Sequence, residues 1–132
     1  MLSMYRLVSV ENLTRETSVA ERCRIAGSVR ERIFGLHLLP RLAGGEGLLL
    51  RGSTTIDTTF MRYPIDLVFM DRSLRVTRVV PAMRPWRMVL SGGGGSDCLE
   101  LPSGAAAASK TQVGDQLQFA NLNTPVEDST AR

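Results

Sequence analysis

One carboxylate stands out for the chemistry its surroundings demand. Asp66 lies in DTTFMRYPIDLVFMD, residues 57 to 71, with Ile65 before it and Leu67, Val68, Phe69 and Met70 after it. An isolated charge among apolar side chains is costly, so such a carboxylate must be paired, hydrogen-bonded or held neutral. Strand alternation predicts Asp66, Val68 and Met70 on one face and Ile65, Leu67 and Phe69 on the other. Three roles are open to the acid: locking a turn through main-chain hydrogen bonds, facing a ligand, or acting as a general acid or base. Arg62, Arg84 and Arg87 are the cations at hand, and the amides around Pro64 are further donors.

Around Asp66 the sequence offers the material of a small cleft. Phe60 and Met61 supply apolar lining, or else pack in the core. Trp86 is the single Trp, and Arg84-Pro85-Trp86-Arg87 either makes a cationic and aromatic binding rim or fastens an irregular loop. The candidate ligand-binding set is therefore Phe60, Met61, Arg62, Asp66, Arg84 and Trp86. Glu100 alternates with core residues and is expected to pair with an Arg of the central segment.

Other chemistries lack their parts. His37 is the single histidine, so a zinc site has too few ligands, and no Ser-His-Asp set or Gly-x-Ser-x-Gly turn is present. The run GGGGS at 92 to 96 lacks the Gly-Lys-Ser/Thr ending of a phosphate loop and reads as a flexible connection that can cover a site. Cys23 and Cys98 form no Cys-x-x-Cys pair; they read as small core residues, with a disulfide between them left open. No cofactor and no metal are implied.

All but one of the 16 basic residues are Arg, the exception being Lys110, and the net charge is +3. They are scattered rather than clustered, so nucleic acid is not the expected partner. Between Arg51 and Arg87, however, seven Arg stand against Asp57, Asp66 and Asp71, a local excess that can steer an anion without specifying one. The N-terminal residues do not read as a signal peptide, and no stretch approaches the roughly 20 apolar residues of a membrane span. The expectation is a cytoplasmic protein with no membrane partner.

The elements that must position these residues are mostly short strands. Alternation predicts strands over 4 to 10, 17 to 26, 65 to 70 and 74 to 80, with Asp71, Arg72 and Ser73 turning the last two into a hairpin. Shorter strands are expected at 48 to 50, 54 to 61, 88 to 90, 97 to 101 and 116 to 120. Pro81 and Pro85 keep 81 to 86 irregular or at a sheet edge. Ser28 and Glu31 form a capping box for a short helix over 28 to 38, and the alanines 105 to 108 favour a second. Tyr63-Pro64 has some chance of a cis bond. The reading is one domain over 1 to 120 with a polar tail from 121 to 132, mainly β, a jelly-roll-like sandwich or small barrel with two short helices.

The order of these pieces resembles the family called domain of unknown function 192. The matching pieces are ERIFGL at 31 to 36, GEGLLL at 45 to 50, TFMRYPIDLVFMD at 59 to 71, RVTRVVPAMRPWR at 75 to 87, CLELPSG at 98 to 104 and VGDQL at 113 to 117. The resemblance spans about residues 16 to 120 and rests on their order and spacing together. In that family the first motif usually reads Arg-x-x-Gly-Leu-Met; Arg32, Gly35 and Leu36 match it, and His37 stands in place of the Met. The resemblance implies a compact jelly-roll-like β fold and brings no activity with it. The leading expectation is a non-enzymatic binding or accessory module for a small polar or anionic ligand. A hydrolase or isomerase using Asp66, and an RNA-binding module using Arg and Trp86, are the alternatives.

Overall fold

The structure is a computed structural model that describes residues 6–26, 42–58 and 61–122. The expected helix over 28 to 38, His37, Phe60 and the tail beyond Leu122 lie outside the described residues.

Nine strands and one helix are seen among the described residues. They are β1 (Arg6–Asn12), β2 (Thr17–Ala26), β3 (Glu46–Leu50), β4 (Thr55–Asp57), β5 (Ile65–Met70), β6 (Val76–Met83), β7 (Met88–Leu90), β8 (Asp97–Pro102), the helix α1 (Ala105–Ala108) and β9 (Leu117–Asn121). Seven strands form one sheet in the order β6-β5-β8-β3-β2-β1-β9, and β4 pairs with β7 in a separate ribbon. All neighbours are antiparallel except β2 and β3, which run parallel.

The sheet curls into a half-barrel. Val8, Val10, Val19, Ala20, Cys23, Leu49, Val68, Met70, Val76, Leu99, Leu101 and Leu117 bury together on one face with Ala106 of α1. That cluster joins β5 and β6 at one end of the strand order to β9 at the other, which requires their shared face to be concave. The two ends meet where Arg75 bridges Gln116, with Leu117 N donating to Leu74 O at 2.9 Å and Val76 N to Asp115 O at 2.8 Å. The convex side carries a second cluster, including Leu48, Leu50, Ile65, Leu67, Phe69, Met83 and Cys98, and Ile56 and Met61 pack onto it.

β5 therefore behaves as its alternation predicts, with both faces buried: Val68 and Met70 point into the barrel, and Ile65, Leu67 and Phe69 to the outer cluster. A strand buried on both sides needs apolar residues at nearly every position. Asp66 is the exception on the concave face.

Several expectations are corrected. Of the strand foreseen over 54 to 61, Thr55–Asp57 form β4, Thr54, Thr58 and Met61 lie outside it, and 59 and 60 lie outside the described residues. β6 does not stop before Pro81 but continues to Met83. It can do so because it is an edge strand and because its register slips between the pairs Ile65↔Met83 and Leu67↔Val80, leaving Pro81 and Ala82 together opposite Asp66. Tyr63–Pro64 is trans. Cys23 and Cys98 are free and lie in clusters on opposite faces of the sheet, which rules out a bridge between them. In the glycine run, Gly92 and Gly94 hold positive φ, and a Cβ on Gly95 would sit 2.6 Å from Ser91 Cβ. Asn121 still pairs with Val8, so the ladder extends into the first residue of the expected tail. No helix among the described residues is long and apolar enough to cross a membrane.

Candidate functional site

Asp66 is fully buried, and its carboxylate is taken up by main chain. Oδ1 accepts the Ala82 amide at 2.8 Å, and Oδ2 accepts the amides of Gly104 at 3.0 Å and Ala106 at 2.9 Å. The first is the amide stranded by the β6 bulge. The other two lie at the start of α1, whose leading amides have no partner within the helix. Gly104 enters that turn at φ 96°. One side chain thus ties β5 to its neighbour β6 and to the turn that follows β8. The donors are amides of β6 and α1, not the Arg side chains or the amides around Pro64 foreseen from the sequence. A buried acid so occupied is placed to hold a fold together.

The structure separates the sequence-predicted set. Asp66 points into the barrel, whereas Met61 is buried in the outer cluster on the other side of the sheet. Arg62, Arg84 and Trp86 are exposed. What organises the exposed members is a residue that sequence reasoning missed. Thr58 is 1% exposed, and its Oγ1 donates to Arg84 O at 2.7 Å and accepts the Arg87 amide at 2.8 Å. Its own amide donates to Arg87 O at 2.8 Å, and its carbonyl accepts the amides of Trp86 and Met61, each at 3.0 Å. Every turn of the Arg84-Pro85-Trp86-Arg87 loop is fastened to this one residue. A threonine in an extended, turn-rich stretch carries no distinguishing sequence signal.

The pinned loop holds Trp86 at φ 64° with 58% of its surface exposed. A left-handed backbone at a bulky residue costs on the order of 1–3 kcal/mol and persists only where surroundings impose it. Here the surroundings impose it on the surface, with Arg84 and Arg87 exposed on either side. Beyond them β7 exposes Met88 at 66% and Leu90 at 61%, while Val89 between them packs inward.

Two further acids are buried without facing this loop. Glu100 is 3% exposed, lies opposite Leu48 on β3 and Leu67 on β5, and its Oε1 has no hydrogen-bond partner among the described residues. Loss of solvent pushes its carboxyl up to about 8. Across the ladder Leu48 and Leu67 flank it. Asp115 shows the opposite case. Its Oδ2 accepts Arg15 Nε and Asn12 Nδ2, both at 3.0 Å, and the Gln112 amide at 2.9 Å. Burial pushes this carboxyl up, but the bonds from Arg15, Asn12 and Gln112 outweigh it and hold it below the ordinary aspartate value. This network fastens the β1–β2 turn to the loop before β9. Burial also pushes the Cys23 thiol up to about 12 and the Cys98 thiol well above its usual range, so neither is an activated nucleophile. No group of three or more His, Cys, Asp and Glu that could hold a metal ion occurs among the described residues.

Comparison with known proteins agrees with the fold. The chain is 30% identical over 113 residues to UPF0127 protein PH1112 of Pyrococcus horikoshii, covering 83% of this chain and 97% of that one. Among solved structures, a protein of unknown function from Novosphingobium aromaticivorans superposes with a TM-score of 0.72 at 21% identity, over 86% of this chain and 84% of that one. A protein from Sinorhizobium meliloti, described as a candidate transcription regulator, superposes with a TM-score of 0.74 at 18% identity, over 87% of this chain and 93% of that one. At those identities the two structures speak to the fold alone. The sequence profile of the DUF192 family, described as an uncharacterized ACR, matches residues 10–119. With that match covering most of its length, the chain belongs to the DUF192 family.

Proposed function

We propose that this protein is a non-enzymatic binding module that takes a small polar or anionic ligand at the Arg84–Arg87 loop. One observation carries the reading: Trp86 is held exposed, in a left-handed backbone, by a buried threonine that fastens the loop on both sides. With more than half of its surface in water, the indole presents a face that a ligand can reach. A preorganised aromatic face between two guanidinium groups is suited to a flat or charged ligand, because the ordering cost is already met before binding. Arg62 adds a third exposed cation next to buried Met61. Asp66 supports the loop's surroundings by fixing the end of β6, three residues before Pro85, and takes no part in ligand contact.

The test uses the single Trp as its own reporter. Inorganic phosphate, a dicarboxylate and a nucleoside monophosphate are titrated while Trp86 emission and the melting temperature are followed. A saturable emission change with a matching rise in melting temperature is expected for at least one of them. The double variant Arg84→Gln/Arg87→Gln should lose both responses while remaining folded. Flat titrations for all three anions would overturn the reading.

A further inference from the structure

We infer that the outer face of the β4–β7 ribbon, continuous with the Trp86 loop, is a docking surface for an acidic peptide segment that carries apolar side chains. The inference rests on reading the Arg84–Arg87 loop as a binding rim, and it assigns that rim a larger partner than a small anion.

The register fixes the composition of this face. Thr55 lies opposite Leu90 and Asp57 opposite Met88, whereas Ile56 and Val89 form the inward pair. Strand alternation therefore places Met88, Leu90, Thr55 and Asp57 together on the outside. Met88 and Leu90 are 66% and 61% exposed, and Trp86, two residues earlier, is 58% exposed. Scattered exposed apolar residues need no explanation, but three large ones within five positions of one strand and its approach form a patch. A small anion on the rim would leave Met88 and Leu90 uncovered. Their spacing along β7, about 7 Å, equals the repeat of same-side side chains in any extended chain. An extended peptide with apolar residues at alternate positions fits that repeat, as in other cases of strand-like peptide recognition.

Charge selects the sign of the partner. Arg84 and Arg87 are exposed at the start of β7. At its other end the Arg78 guanidinium donates to Leu90 O, which holds a third cation beside the patch. Asp57 is the one acid on the ribbon's outer face. Three cations bracketing an apolar stripe with one acid favour an acidic partner and repel a basic one.

The experiment selects peptides from a displayed random library on the full chain, in parallel with the double variant Met88→Ser/Leu90→Ser. Both substituted positions are exposed, so folding should be little changed, which a melting curve verifies. Wild-type protein is expected to enrich peptides rich in Asp and Glu with interspersed apolar residues. A labelled peptide from that pool should bind the double variant at least tenfold more weakly, while the variant's Trp86 response to inorganic phosphate is unchanged. If wild type and variant enrich the same peptides, if the enriched peptides lack acidic residues, or if nothing is enriched, the inference falls. Binding to phosphatidylglycerol vesicles or to single-stranded RNA, with no peptide enriched, would also overturn it. A phosphate response without selective peptides would sink this inference and leave the small-ligand reading standing. Selective peptides without any small-anion response would do the reverse.

Discussion

Asp66 and Ala82 meet across the β5–β6 bulge, where a carboxylate oxygen 2.8 Å from the amide takes the place of the ladder bond the slipped register cannot make. Ala82 itself sits at φ 49°, so the bulge is strained as well as unpaired. The same carboxylate then captures two amides at the start of α1. Replacing it should therefore be costly. Asp66→Asn keeps the shape but turns one acceptor into a donor facing amides, and a loss of about 2–4 kcal/mol is expected. Urea denaturation would read this as a lower midpoint. The Trp86 response to anions, measured below that midpoint, should be retained; its selective loss in a folded variant would instead make Asp66 a ligand residue.

Thr58→Val tests the pin of the rim. The change keeps the volume but removes the hydroxyl that serves Arg84 O and the Arg87 amide. A loss of about 1–3 kcal/mol is expected. Steady-state anisotropy of Trp86 should fall as the loop loosens. Unchanged anisotropy would show that the main-chain bonds to Thr58 suffice.

Glu100 predicts a pH dependence of unusual position. The folded carboxyl keeps its proton up to about pH 8, whereas the ordinary value, which applies once the chain unfolds, is 4.5. Between those values unfolding releases a proton, so rising pH favours the unfolded chain. Stability should fall across this window by several kcal/mol, on the order set by the size of the shift. Glu100→Gln has no proton to lose and should flatten the slope, leaving the variant more stable than wild type above pH 8. A wild-type curve already flat between pH 5 and 8 would contradict this.

Asp115 acts in the other direction and at another pH. Its folded value lies below 3.8, so its contribution is full above the unfolded value and fades as pH falls through the folded one. Acid unfolding monitored by circular dichroism should be shallower in Asp115→Asn, which should also be about 1–3 kcal/mol less stable at neutral pH. An acid limb identical to wild type would assign that transition to other carboxylates.

Much of the fold was legible because its signal is period two. The alternation of β5, the turn at Asp71, Arg72 and Ser73, and the alanines of α1 all appear where the sequence puts them. Pro81 does lie at a sheet edge, as its type suggests, but the strand runs three residues beyond Val80, because in the slipped register no ladder bond is needed from Pro81. The candidate site was half legible. Trp86 and its neighbouring Arg residues are visible as a motif, but Asp66 meets that segment only through the Ala82 amide, and Met61 lies on the other face of the sheet; linear proximity does not reveal which side a residue faces. Thr58 left no trace because its role depends on a loop about 26 to 29 positions away. Glu100 stands out in the sequence as an acid among core residues, but its ladder neighbours come from β3 and β5 and cannot be read from its own strand.

The strand order carries a consequence for how the chain reaches this shape. β1, the first described strand to be synthesised, is flanked by β2 and by β9, the last. Until β9 arrives, one side of β1 offers its unpaired amides and carbonyls to any passing strand. The concave cluster is likewise open, because Leu117 enters it only with β9. Vectorial synthesis thus leaves the nascent sheet with a sticky flank for nearly its whole duration. The seam at Arg75 and Gln116 can close only as the final act of folding, and a stalled or shortened chain is the form of this protein most exposed to misassembly.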